Sequence, residues 1–272
     1  MSKKLYEETS IQDIANAIRE KNGASTKYKV AQMGNAVRGI TTGDQIAHAD
    51  IPRYVKAEAL AVAEKVKAVM KDDSIVFFAV SDFHHTGLQV DNWQTNINAG
   101  NLHACQALKV LSYSLPQIDF ACMLGDVTFG NAKTTTALMQ QQFDQINGWL
   151  GEAWKNIPQL RTVGNHDTGE YSTLVGATFL KNNIWKYNEG AVYGSEEYGY
   201  CYRDFPDKKL RVICLNTCEG ETLSGESAAY CCSPAQLLWF AQTLHAVGSK
   251  ADAAQWGIIV LGHYPLDLGG AY

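Results

Sequence analysis

The sequence predicts an α/β protein built on a largely parallel sheet, and three observations carry that prediction. Short apolar runs with strand character occur at 74–80, 118–124, 160–163, 210–215 and 256–261. Helical segments at 98–111, 138–150 and 234–247 lie between several of them, and a helical crossover is what joins parallel neighbours. Four of the runs end directly in polar residues able to hold a ligand, and open α/β sheets build their sites beyond the carboxyl ends of strands.

The chain begins with a small unit of its own. Ser10 and Asp13 stand at capping-box spacing, and Ile11, Ile14, Ala15 and Ile18 repeat at i, i+3, i+4, i+7, one apolar helix face. Asn22-Gly23 ends that helix. A second helix is expected over Val30–Ile40, with Met33, Val37 and Ile40 on one side, and Thr41–Asp44 reads as a linker. Residues 1–44 thus form a helical attachment module and 45–272 the main domain. A stripe this small does not fold alone, so it is expected to bury against the second helix, the main domain or another copy, and residues 9–40 to form a helical pair outside the main domain that mediates attachment or self-association. A third helix, Val55–Met70, leads into the first strand. Gly199–Phe205 alternates aromatic with smaller or charged residues and is expected to be a half-exposed strand.

Composition narrows the function classes. Hydrophobic residues are 46% of the 272 and charged residues 19%, enough for a core without disulfide support. The net charge is -5 and no Lys/Arg stripe is visible, which argues against nucleic acid as partner. Seven cysteines, an odd number without Cys-x-x-Cys spacing, read as buried thiols of a protein made in a reducing compartment. Lys3-Lys4-Leu5-Tyr6-Glu7-Glu8 has no apolar core for a signal peptide, and no run approaches the roughly 18 apolar residues of a membrane span.

The strand-terminal clusters are Asp82-Phe83-His84, Gly125-Asp126, Gly164-Asn165-His166-Asp167 and Gly262-His263. Gly-Asn-His-Asp alone arises by chance in about one chain per thousand of this length. Oxygen and imidazole ligands without thiolate suit borderline or hard divalent metals. A carboxylate from one cluster could bridge two ions, and two ions clamp both the attacking and the leaving oxygen of a phosphoryl group. Glycines before Asp126, Asn165 and His263 let the backbone turn and approach closely. His48, His85, His103 and His245 belong to no such cluster; of these only His85 is expected near the site.

These motifs, in this order, resemble those of the calcineurin-like metallophosphoesterases. The resemblance extends through Arg211–Thr217 and Ser233–Phe240 and covers roughly residues 72–268. It implies a β-sandwich flanked by helices, two divalent metal ions (Mn2+, Fe2+/Fe3+ or Zn2+) and hydrolysis of a phosphate ester. Carried over by motif, Asp82 and His84 bind one metal, Asp126 bridges both, and Asn165 and His263 bind the other. His166 stays off the metals and acts near the leaving group, as general acid or as a donor to the phosphate, with Asn165 and Asp126 completing the catalytic set.

Two departures qualify the match. The family's closing Gly-His-x-His motif does not occur before Tyr272, so the domain is expected to be incomplete at its C-terminus, with strands still to come after His263. Val127-Thr128-Phe129-Gly130 follows Asp126 where protein Ser/Thr phosphatases carry Asp-Arg, which argues against a phosphoprotein substrate. Residues 11–40 resemble a helical module of tail and baseplate proteins of phages of Gram-positive bacteria. That resemblance implies a virion location, other tail proteins as partners, and an envelope phosphodiester such as teichoic acid as substrate. The alternatives are a non-catalytic tail protein that keeps the fold, and a cellular phosphomonoesterase.

Overall fold

The computed structural model describes residues 51–87, 92–130, 134–169, 175–219 and 232–265. The helix pair expected at 9–40, the linker at 41–44 and the strands expected after His263 lie outside them. The chain divides into two compact units, Met1–Ala57 and Glu58–Tyr272, and the division falls inside helix α1 (Arg53–Val69). All later elements belong to the second unit.

That unit is mixed α/β with two sheets. Strands β1 (Phe77–Val80), β2 (Phe120–Met123) and β3 (Gln159–Arg161) form a parallel sheet in the order β1-β2-β3. Helices α2 (Asn92–Ser114) and α3 (Thr136–Ala153) are its crossovers. After the short helices α4 (Asn165–Thr168) and α5 (Ala177–Asn183) comes the second sheet. It contains β4 (Val192–Tyr193), β5 (Cys201–Phe205), β6 (Leu210–Cys214) and β7 (Gly257–Leu261) in sequential order. Its first two pairings are antiparallel; β6 and β7 run parallel across α6 (Pro234–Gly248). The alternation of strands and helices pointed to one largely parallel sheet. The chain instead makes two, because a one-turn 3-10 helix at Pro206–Lys208, closed by Lys209 at φ 49°, reverses β5 into β6. A hairpin connection is too short for a parallel crossover.

Side-chain alternation on β2 links the layers. Phe120 and Cys122 join Leu160, Cys201, Leu210, Val212, Cys214 and Leu261 in a core shared by both sheets. Ala121 and Met123 point the other way, into a core with Phe143, Ile146, Leu150 and Trp154. A strand buried on both faces reads as a continuous apolar run, as residues 118–124 do. Met139, Phe143, Ile146 and Leu150 of α3 lie on one helix face, and all four are fully buried. Each such side chain contributes about 1.5–3 kcal/mol by leaving water. Thr135 caps α3 by accepting the Leu138 N–H at 3.3 Å.

The start of α6 has its own anchor. Ser233 caps it, Pro234 sits where a missing N–H costs nothing, and the buried Glu219 accepts from the Ser233 N–H and O–H at 2.8 and 2.7 Å. The described cysteines Cys105, Cys122, Cys201, Cys214, Cys218 and Cys232 are free thiols, all but Cys232 buried. Among the described residues no helix is long and apolar enough to cross a membrane.

Candidate metal centre

The carboxyl ends of β1, β2 and β3, with the turn after β7, bring Asp82, His84, Asp126, Asn165, His166 and His263 together. The β1 and β2 chains stay zipped past the end of the sheet. Asp82 N–H donates to Gly125 O at 3.1 Å, His84 N–H to Asp126 O at 3.0 Å, and His85 N–H to Val127 O at 2.9 Å. Within this zipper Asp82, His84 and Asp126 take φ of 56°, 43° and 53°. Left-handed backbone at a non-glycine residue costs about 1–3 kcal/mol and persists only where the surroundings over-determine it. Of the four such residues among those described, three are these acid and imidazole carriers.

Asp126 is the centre of the cluster. Its Oδ1 accepts the His166 backbone N–H at 3.0 Å. Its Oδ2 lies 3.4 Å from His263 Nε2, 3.6 Å from His84 Nε2 and 4.0 Å from His166 Nε2. Asp82 Oδ1 stands 3.4 Å from His84 Nε2, and Asn165 Oδ1 stands 3.1 Å from His263 Nε2. The carboxylate of Asp126 is buried while that of Asp82 is half exposed, so the cluster is open on the Asp82 side.

These spacings can be set against metal–ligand geometry. Two ligands bound at about 2.0–2.2 Å to one ion lie about 2.8–3.6 Å apart when adjacent at tetrahedral or octahedral angles, and about 4.0–4.4 Å apart when opposite in an octahedron. Asp82 with His84, His84 with Asp126, His263 with Asp126, and Asn165 with His263 all fall in the adjacent range. His166 Nε2, 4.0 Å from Asp126 Oδ2, exceeds the adjacent range. Its donor atom does gather within 4.8 Å of those of His84 and Asp126, as those of Asp82, Asp126 and His263 gather together.

Backbone carbonyls set the tautomers. His263 Nδ1 donates to Leu124 O at 2.9 Å and His166 Nδ1 donates to Gly130 O at 3.0 Å, so in each neutral ring Nε2 carries the lone pair and faces Asp126. His84 Nδ1 is buried without a hydrogen-bond partner, so only its Nε2 is engaged. Burial works against a charged His263 ring, but the Asp126 carboxylate beside it prevails and pushes it up to about 9.

The glycines of the motifs are contacts. A Cβ on Gly125, whose φ is 99°, would lie 2.5 Å from Gly164 N, and a Cβ on Gly164 would lie 2.1 Å from Asp126 Oδ1. Only bare backbone lets the β2 and β3 ends approach closely enough to place Asp126 against the Asn165-His166 turn. The fully buried Asp167 ties the same two segments, accepting Gly164 N–H and Thr128 N–H at 3.0 Å each. Burial first and Asp126 second push Asp167 up to about 7, against the pull of those two N–H groups.

Three supports were not legible beforehand. Thr128 Oγ1 donates to His166 O at 3.0 Å, Gly130 O receives the His166 ring, and Phe129 stacks on that ring at 6.2 Å. The segment that lacks Asp-Arg is therefore the one that holds His166. His85 is buried with its backbone in the zipper beside the site, and its ring engages Asn101, Gln145 and Trp149 rather than a residue of the cluster. His245 bonds Ser249 at the end of α6, and His48 lies outside the described residues. No protein-family model and no curated protein matches this chain.

Proposed function

We propose that the chain is a metal-dependent phosphoesterase of the calcineurin-like type, carried on a phage tail and directed at an envelope phosphodiester such as teichoic acid. The observation that carries the proposal is the single oxygen of Asp126, Oδ2, facing two donor groups, Asp82 with His84 and Asn165 with His263. The donor set is oxygen and imidazole, which fits two divalent ions of the Mn, Fe or Zn kind. The left-handed backbone at Asp82, His84 and Asp126 supports a site held for chemistry rather than for stability.

When bound, such ions polarise the phosphoryl oxygens and make water a nucleophile at neutral pH. The chain's own residues do the rest. Asp126, tied through Oδ1 to the His166 N–H, fixes how far apart the two donor groups stand. His166, off the ions and fixed through Nδ1 on Gly130 O, directs Nε2 into the cluster, where a protonated ring donates to the leaving oxygen. Asp82 borders the open side through which the ester enters.

The preference for a diester rests on the resemblance of residues 11–40 to tail modules and on the missing Asp-Arg. Hydrolysis of bis-p-nitrophenyl phosphate and p-nitrophenyl phosphate by the full chain with saturating Mn2+ tests it. Faster release from the diester is expected. Release from neither ester above the buffer rate would overturn the assignment.

A further inference from the structure

We propose that Asn101, a buried residue of α2 outside every motif, is a positioning residue that sets the His84 imidazole for metal binding; this rests on the metal site proposed above. The peptide between Phe83 and His84 is pinned at both ends. Its N–H, that of His84, donates to Asp126 O at 3.0 Å, and its carbonyl, that of Phe83, receives Asn101 Nδ2 at 2.7 Å. The orientation of this plane and the rotation about the next N–Cα bond define φ of His84, which stands at 43°. Releasing the carbonyl frees the residue to return to negative φ, which L-residues prefer, and the ring then swings away from Asp82 and Asp126.

The polarity of the Asn101 amide is itself fixed. The Phe83 carbonyl can only accept, so the NH2 group must face it. The second hydrogen of the same Nδ2 points to His85 Nδ1 at 3.3 Å, which makes that nitrogen the acceptor and leaves the proton on His85 Nε2. There Gln145 Oε1 of α3 accepts it at 2.5 Å. Gln145, His85, Asn101 and the Phe83 carbonyl thus form one chain of hydrogen bonds running from α3 through α2 to the metal loop. A neighbouring asparagine, Asn98, anchors the next stretch of the same loop, with Oδ1 accepting Thr86 N–H at 3.0 Å and Nδ2 donating to Gly87 O at 2.8 Å. Asn101 differs in that its target is the peptide adjoining a ligand.

The test is Mn2+ titration of the full chain, followed by free-Mn2+ EPR, together with the visible d–d spectrum of the Co2+-loaded protein. Asn101→Ala is expected to weaken Mn2+ binding about 10–100-fold, the range for losing a group that orients a ligand, and to change the position or intensity of the Co2+ bands. Gln145→Leu, at a half-exposed position, is expected to shift affinity in the same direction by a smaller factor. It keeps the test intact if Asn101→Ala fails to fold. A merely structural asparagine would lower the melting temperature of the metal-free protein and leave the Co2+ bands of the folded variant unchanged. Wild-type affinity and an unaltered spectrum in the folded variants would overturn the role of Asn101. No Mn2+ or Co2+ binding by the wild-type chain would instead overturn the metal site, and this inference with it.

Discussion

Gly164 and Asp126 are in direct contact: a Cβ on Gly164 would lie 2.1 Å from Asp126 Oδ1 and 2.3 Å from Asp126 N. The carboxylate shared by both donor groups therefore occupies the space that any other residue at position 164 would fill. Gly164→Ala should displace Asp126, weaken Mn2+ binding and destabilise the fold by about 1–3 kcal/mol, the usual cost of overpacking. Metal titration and thermal unfolding of the variant check this; unchanged affinity would mean that Asp126 can relax without losing its ligand geometry.

His166 and Asp126 should separate turnover from metal content. His166→Ala is expected to lower kcat by roughly 10²–10⁴-fold, the contribution of a general acid, while metal content stays near that of the wild type. Asp126→Ala should lose both together. Elemental analysis beside steady-state kinetics checks the pair, and loss of metal in His166→Ala would place that ring on an ion.

Much of this site was legible in the sequence, because motif residues sit where strand ends put them. The apolar runs at 118–124 and 210–215 contain β2 and β6, and the clusters after β1, β2 and β3 meet because those strands run parallel, while His263 after β7, on the other sheet, joins them through its contacts with Leu124 and Asn165. The strand pattern alone pointed to one largely parallel sheet; a second sheet was expected only through the β-sandwich that the resemblance implies, and it depends on the one-turn reversal at Pro206–Lys208. The left-handed backbone at Asp82, His84 and Asp126 was not legible, since none is a glycine and tertiary hydrogen bonds impose it. Asn101 carries no signal at all, being one polar residue among several in a long helix.

The charge state of His263 links metal binding to pH. Its ring is pushed up to about 9 in the folded, metal-free protein, above its ordinary 6.5. A raised histidine stabilises the fold below the ordinary value, and that contribution is lost as pH rises through about 9. The same proton occupies the nitrogen that faces Asp126, so metal must displace it. Mn2+ affinity should therefore rise between pH 6.5 and 9 while the melting temperature of the metal-free protein falls over the same window. Affinity independent of pH in that range would remove His263 from the ligand set.

Asp167 should prove structural. Asp167→Ala leaves the Gly164 and Thr128 N–H groups without their acceptor in a buried place, at a cost of about 1–3 kcal/mol for each orphaned donor. A drop of about 2–6 kcal/mol in unfolding free energy is expected from denaturant titration. A loss below about 1 kcal/mol would show that water replaces the carboxylate.

Low-temperature EPR of the Mn2+-loaded chain tests most directly whether Asp126 serves two ions at once. Two Mn2+ that share a carboxylate oxygen couple through it. The expected result is two equivalents bound and an exchange-coupled multiline spectrum that collapses in Asp126→Ala. One equivalent with an uncoupled six-line spectrum, unchanged in Asp126→Ala, would contradict a shared Asp126.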